Sequence, residues 1–281
     1  MEIVKVINNN FVSAVDDQGK ETVIMGKGIG FRYKAGEAVP EKLIEKVFYI
    51  QDSKQTEKFQ ELVKKLPVEH MRLAVQIIDY AQDICGKSLN EGIYITLTDH
   101  INFAIKRYQE NMIFSNPLFW EIKQFYRTEY LIGDYAVKLI AEKTGIQFKE
   151  DEAASIALHI VNAEYNTGIS ETMRITTMIH EILEVVKENF HFEVDEESIH
   201  YSRFVSHIKF LCKRILKKEL LNSMEQEFID MIRHSYPEEY ACSCRIGEFI
   251  KEKYDYSVTA EELMYLAIHV KRIRDSIEEK E

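Results

Sequence analysis

Four of the nine histidines fall at matching places in two stretches of sequence that repeat each other. Tyr94-x-x-Leu97-x-x-His100-Ile101-x-Phe103 recurs at an offset of 107 as Tyr201-x-x-Phe204-x-x-His207-Ile208-x-Phe210. At an offset of 110, Glu152-x4-Ala157-x-His159 recurs as Glu262-x4-Ala267-x-His269, and Tyr126 and Tyr130 match Tyr236 and Tyr240. Repetition at a fixed offset marks one module present twice. The other five histidines (His70, His180, His191, His200, His234) have no convincing counterpart. Imidazole serves as a metal ligand, an acid–base catalyst or a phosphoryl acceptor. Metal ligation wants further Cys, Asp or Glu at short spacing, such as His-x-x-x-His, and that pattern is missing. Acid–base catalysis wants a substrate pocket, and no Gly-rich phosphate loop, nucleophile elbow or carboxylate dyad stands out. Phosphoryl acceptance needs only a neutral ring nitrogen open to a donor protein. A plain structural role, each pair hydrogen-bonding within its module, stays open beside it.

The elements that must position these histidines change character along the chain. Residues 1–55 read as a small antiparallel β domain. Val4-Lys5-Val6-Ile7 is strand-like and Asn8-Asn9-Asn10 is a turn cluster. Phe11 to Val15 runs into Asp16-Asp17-Gln18-Gly19, a hairpin signal, and Glu21 to Met25 returns. A Gly-rich stretch, Gly26 to Phe31, and a last apolar segment around Ile44 to Ile50 complete it. Roughly 55 residues is a marginal size for an independent core, so extra burial through dimerisation is expected. From about residue 56 the apolar spacing is helical. Helices are expected near 58–84, 90–109, 117–143 and 150–164, then near 173–190, 195–218, 224–235, 237–253 and 258–274. Thr259-x-x-Glu262 is a capping box for the last of these. His159 and His269 are expected at the rim of an apolar stripe, reaching both core and surface. The fold class is therefore multidomain: an all-β domain over 1–55 followed by two homologous all-α bundles over 64–170 and 171–281.

Composition narrows the class. The 281 residues carry a formal net charge of −11, which argues against an indiscriminate polyanion binder. Residues 1–55 hold eight Lys/Arg and eight Asp/Glu, so the excess of acid lies in the remainder, and any nucleic-acid contact belongs to the N-terminal segment. The four cysteines have neither disulfide-framework nor zinc spacing, which favours a reducing cytoplasm. No apolar run approaches a membrane span and Met1-Glu2-Ile3-Val4-Lys5 lacks a signal-peptide layout, so no membrane insertion is expected. No metal or cofactor is called for.

Lys5-Val6-Ile7-Asn8-Asn9-Asn10, taken with Val23-Ile24-Met25-Gly26-Lys27-Gly28-Ile29-Gly30-Phe31, resembles the co-antiterminator RNA-binding domain of the BglG-type transcriptional antiterminators. The two helical repeats resemble the paired phosphotransferase-system regulation domains of that family, with β-glucoside-operon members nearest. The resemblance spans essentially the whole chain. It implies a dimer that binds an RNA hairpin in the leader of a sugar-utilisation transcript and prevents the overlapping terminator from forming. By carry-over Asn10 meets a base edge or phosphate, Gly26 and Gly28 allow close approach, Lys5 and Lys27 supply charge, and Phe31 offers a stacking face. Position 27 departs from the family's more usual Arg, so a planar bidentate contact is lost there.

The same resemblance implies that the phosphocarrier protein HPr phosphorylates His207 and His269 to activate the protein. The sugar-specific permease phosphorylates His100 and His159 to inhibit it. Asp99 is placed to orient His100, whereas Ser206 stands at the equivalent position before His207. Two rival readings are weaker. An enzymatic phosphoryl relay lacks a substrate or nucleotide motif, so no enzyme is expected. A DNA-binding regulator would need a basic recognition helix in a segment that is β-patterned and neutral.

Overall fold

The computed structural model describes residues 1–16, 18–49, 53–112, 114–190, 195–221 and 226–278; Asp17, Ile50, His191 and positions 224 and 225 lie outside the described residues. Four strands, β1 (Glu2–Asn8), β2 (Phe11–Val15), β3 (Glu21–Met25) and β4 (Lys46–Phe48), form one antiparallel sheet in sequence order. Side-chain oxygens shape both tight turns. Asn8 Oδ1 accepts from the backbone N–H groups of Asn10 and Phe11, at 2.9 and 3.0 Å. Asp16 Oδ1 accepts from Gln18 and Lys20, both at 2.9 Å. Asx turns of this kind favour chain reversal over strand continuation. The register of β1 shifts between Ile3 and Lys5 and between Val6 and Asn8. Ile3 and Ile7, which a regular strand would place on one face, therefore enter different cores.

Each face of the sheet is covered. On one, Ile3, Val12, Ala14 and Ile24 close against Ile29 and Val39, with Leu43 beside them. Ile29 belongs to a single-turn helix, α1 (Ile29–Arg32), in a stretch expected to be Gly-rich loop. On the other face, Ile7, Phe11, Val23, Met25 and Phe48 join the core of the helices that follow. The Phe48 ring lies 4.8 Å from Phe59 and 5.0 Å from Tyr94. Burying one such ring contributes about 1.5–3 kcal/mol. Polar straps cross the same boundary: Asn8 donates to the Val63 carbonyl at 2.6 Å, and Lys46 pairs with Asp79 at 2.7 Å. The small sheet thus gains burial on this face from its own chain.

The helices before the repeat's midpoint are α2 (Ser53–Lys65), α3 (Val68–Cys85), α4 (Ile93–Gln109), α5 (Phe119–Phe125), α6 (Arg127–Thr144) and α7 (Glu150–Tyr165). After it come α8 (Ile169–Phe190), α9 (Ile199–Lys217), α10 (Gln226–Ser235), α11 (Pro237–Tyr254) and α12 (Ala260–Glu278). Two helices expected to be continuous are broken. Pro67 ends the run over 58–84, because a proline cannot donate within a helix and bars the residue before it from helical geometry. Tyr126 breaks the run over 117–143 with φ −126° and ψ 52°; its repeat partner Tyr236 has φ −131° and ψ 64° just before Pro237. Each then accepts the first bond of the next helix, from Tyr130 at 2.8 Å and Tyr240 at 2.9 Å. The repeat is therefore structural as well as sequential. Thr259 Oγ1 accepts from the Glu262 N–H at 3.3 Å, but only this half of the expected capping box forms, because the Glu262 carboxylate turns to Arg214 instead.

The chain divides into two compact units, one of residues 1–119 and 126–169 and one of residues 120–125 and 170–281. Within the first, α7 is nearly surrounded: Glu152 through Val161 are all buried. Its small residues allow this. A side chain on Gly133 of α6 would meet the Ala153 carbonyl oxygen at 2.1 Å, so that crossing requires glycine. Among the described residues no helix is long and apolar enough to cross a membrane.

Candidate functional site

In the first unit His100 projects from α4 and His159 from α7, with ring centroids 4.6 Å apart. Arg107 follows His100 by seven residues on α4, and Glu152 precedes His159 by seven on α7. Seven residues is close to two helical turns, so each pair shares one helix face. Glu152 pairs with Arg107 through Oε2, and its Oε1 lies 2.7 Å from His100 Nε2. Glu152 meeting Arg107 while His159 meets His100 requires the two helices to run antiparallel. The Glu152 side chain is only 4% exposed. The Arg107 guanidinium sits over the Phe114 ring, 4.1 Å from its centroid.

In the second unit the same four residue types recur. His207 on α9 and His269 on α12 have ring centroids 5.0 Å apart. Arg214 Nε donates to Glu262 Oε1 at 2.7 Å, and the Glu262 side chain is fully buried. The joining differs, however. His207 Nε2, Glu262 Oε2 and Arg214 Nη2 are all buried with no hydrogen-bond partner. Tyr265 lies beside His207, with ring centroids 5.6 Å apart, where the first unit has Ser155.

Environment sets the charge of these rings. Burial, reinforced by the neighbouring His100, pushes His159 down to about 3. Burial lowers His207 to about 4, with His269 and Arg214 adding repulsion. His269 is also lowered, by burial first and then by Arg272 and Arg203. These three rings are neutral at physiological pH and carry a nucleophilic lone pair. His159 is not at a rim as expected: only 7% of it is exposed, because α7 is enclosed by α4 and α6. His100, His207 and His269 are half-buried. Asp99 is exposed and points away from the role expected of it; Glu152 is the carboxylate that reaches His100. Glu152 and Glu262 were already visible as repeated positions. Arg107 and Arg214 repeat at the histidine offset of 107, a signal that sequence reasoning missed.

The N-terminal residues expected to contact RNA fall into two groups. The loop after β3 folds over the β1–β2 turn through three bonds: Gly26 N–H to the Asn10 carbonyl at 3.0 Å, Gly30 N–H to the Asn9 carbonyl at 3.1 Å, and Gly28 N–H to Asn10 Oδ1 at 3.0 Å. Asn10, Gly26 and Gly28 are thus brought together. Beside them Lys27 is exposed, and Phe31 presents 82% of its surface. Lys5 is exposed on β1, the edge strand. Gly26 has a different role from the one expected. It is buried, and a side chain there would meet the Leu43 carbonyl oxygen at 2.0 Å, so its close approach is to its own chain. Gly30, not singled out from the sequence, is constrained in the same way: a side chain there would meet the Asn8 carbonyl oxygen at 2.0 Å. Gly28 has φ +68° and starts α1, which is where conformational freedom is needed.

Known proteins agree with this organisation. Residues 1–57 match the CAT RNA binding domain, and residues 75–163 and 180–273 each match the PRD domain. The chain is 44% identical to the transcription antiterminator LicT of Bacillus subtilis (strain 168), over 97% of this chain and 99% of that protein. It is 39% identical to the beta-glucoside operon antiterminator of Dickeya chrysanthemi, over 100% of this chain and 99% of that protein. The crystal structure of GlcT CAT-PRDI superposes with a TM-score of 0.53 at 36% identity, covering 58% of this chain and 96% of that one. An RNA-binding module followed by two copies of a histidine-bearing helical module places the chain in the family of RNA-binding transcription antiterminators that carry a CAT domain and two PRD domains.

Proposed function

We propose that this chain binds a partly double-stranded RNA hairpin in the leader of a β-glucoside utilisation transcript and prevents the overlapping terminator from forming. Three modules divide the work: residues 1–55 bind RNA, and residues 64–170 and 171–281 receive signals from the sugar phosphotransferase system. The relatives' names support antitermination and a β-glucoside operon. The contact set is Lys5, Asn10, Lys27, Gly28 and Phe31, with Gly26 shaping the loop from beneath. RNA hairpins are read by stacking on splayed bases and by contacts to backbone and base edges, which suits an exposed Phe31 beside an oriented Asn10. The protein works as a cytoplasmic homodimer.

HPr phosphorylates His207 and His269 and activates the protein; the permease phosphorylates His100 and His159 and inhibits it. The observation that carries this reading is the recurrence of a facing histidine pair, with a buried Glu–Arg pair seven residues away, in both regulatory modules. A phosphoryl group adds nearly two negative charges to a chain already at −11, enough to reorder a half-buried helix face.

The test uses the full chain, because the sheet shares its core with the first helical module. Binding to a leader-type RNA hairpin and to duplex DNA of equal length is measured in one salt series. The expected result is selective RNA binding, weakened by about 1–3 kcal/mol in Phe31→Ala with no loss of thermal stability. Equal binding to RNA and DNA, or no effect of Phe31→Ala, contradicts the reading.

A further inference from the structure

Phosphorylation of a histidine leaves open which ring nitrogen takes the group. In the first module His100 Nε2 is closed to solvent and 2.7 Å from Glu152 Oε1, so the 16% of the side chain that remains exposed does not include it. Two lone pairs at that separation repel, so the ring nitrogen that faces the carboxylate is the protonated one. The approach is off the N–H direction of the ring and makes no hydrogen bond as it stands. Arg107 holds the other oxygen of the same carboxylate. A carboxylate fixed from behind keeps the proton on the nitrogen it faces, as it does in metal sites and hydrolase triads. The nitrogen left with a lone pair is then Nδ1.

We propose that Nδ1 of His100 is the phosphoryl acceptor and that Glu152, kept in place by Arg107, is its positioning residue, with Glu262 and Arg214 in the same roles toward His207. This rests on the reading that these histidines take a phosphoryl group. The second module holds the parts unjoined. His207 Nε2 and Glu262 Oε2 are both buried and both lack a partner, a donor and an acceptor in one cluster. A buried polar group left unmade is costly, so a rotation that joins them is favoured. In the transfer, Nδ1 attacks phosphorus and the donor's P–N bond breaks, its electron pair leaving on the donor nitrogen. The carboxylate stabilises the positive ring while the new P–N bond forms, and the departing nitrogen takes its proton from solvent, while the Nε2 proton stays with the ring and carboxylate that share it.

Phosphoramidate tests this without any partner protein: its P–N bond breaks and ammonia leaves, taking up a proton from water. The full chain is labelled folded and again unfolded in urea. Peptide mass spectrometry locates each phosphohistidine, and phosphorus NMR identifies its isomer. The folded chain is expected to carry the Nδ1 isomer at His100 and His207, and the unfolded chain both isomers. Glu152→Gln preserves shape and an acceptor oxygen, so it should fold; it should label His100 about tenfold more slowly, the difference between a charged and a neutral hydrogen bond. Glu152→Ala, which opens Nε2, should add the Nε2 isomer, a change that a merely structural role would not produce. The Nε2 isomer in the folded wild-type chain overturns the proposal, as does labelling of His100 only after unfolding. The reading it rests on fails separately, if the phosphotransferase proteins label none of the four histidines whatever isomer phosphoramidate leaves.

Discussion

The two regulatory modules place the same four residues on equivalent helices and join them differently. In the first, Glu152 pairs with Arg107 and its other oxygen lies 2.7 Å from His100 Nε2; in the second, Glu262 pairs with Arg214; in both the imidazole Nε2 is buried without a hydrogen bond. Equal sequence spacing thus supports two states of one device, separated by side-chain rotations rather than by a different fold. Both centres hold an imidazole nitrogen and a carboxylate oxygen that are buried and unmet, and the second adds Arg214 Nη2; each such atom costs about 1–3 kcal/mol, so the second has more to gain from a change of packing.

The largest effect that separates the modules comes from removing the arginines. Arg214→Met strands a fully buried carboxylate and should destabilise the second unit by about 3–5 kcal/mol. Arg107→Met leaves Glu152 beside the His100 ring, so the loss should be smaller. Urea unfolding measures both, and the single tryptophan, Trp120, reports on the second unit. The reverse order would break the comparison.

Acid should come next in size. His159 and His207 are neutral in the fold, while in the unfolded chain each takes a proton near 6.5. Stability is fully present above pH 6.5 and is lost as pH falls, levelling near pH 4 for His207 and continuing toward pH 3 for His159. Each contributes at most a few kcal/mol. His159→Leu should flatten the slope of unfolding free energy against pH for the first unit and leave the second unchanged; an unaltered slope would show that His159 takes its proton without opening the fold.

Labelling rates sharpen the contrast. Glu152→Gln should slow phosphorylation of His100 about tenfold, and Glu262→Gln should slow that of His207 by less than about threefold, since only the first carboxylate already faces its ring. Equal slowing would mean that both centres react from the same joined state. The smallest expected effect is at Tyr265. Replacing it with Ser, the residue of the first module, uncovers His207 and should raise its pKa toward the ordinary value, read by NMR titration of the ring.

Much of this was legible in the chain itself. Histidine and glutamate recurrence marked the centres, and the β pattern followed by helical spacing anticipated the order of elements. What stayed hidden required packing. That Glu152 rather than Asp99 reaches His100 depends on α4 and α7 running antiparallel, which no spacing within one helix reveals. Tyr126 gave no sign of a helix break, although Pro237 at the matching point of the second copy marked one. Gly26 was read as room for a ligand, whereas the Leu43 carbonyl already occupies that room. Extra burial for the small N-terminal domain was expected from dimerisation; that one face of its sheet also packs on the chain's own helices, through the ring contacts of Phe48, was not foreseen.

The central claim is that the two histidine centres control RNA-dependent readthrough in opposite directions. Single-round transcription through a leader terminator, with the full chain and the phosphotransferase proteins added, tests it most directly. The account predicts that His207→Ala with His269→Ala abolishes the gain in readthrough caused by HPr, and that His100→Ala with His159→Ala abolishes the inhibition caused by the permease. Readthrough that responds to both signals as the wild-type chain does, in either double variant, would contradict it.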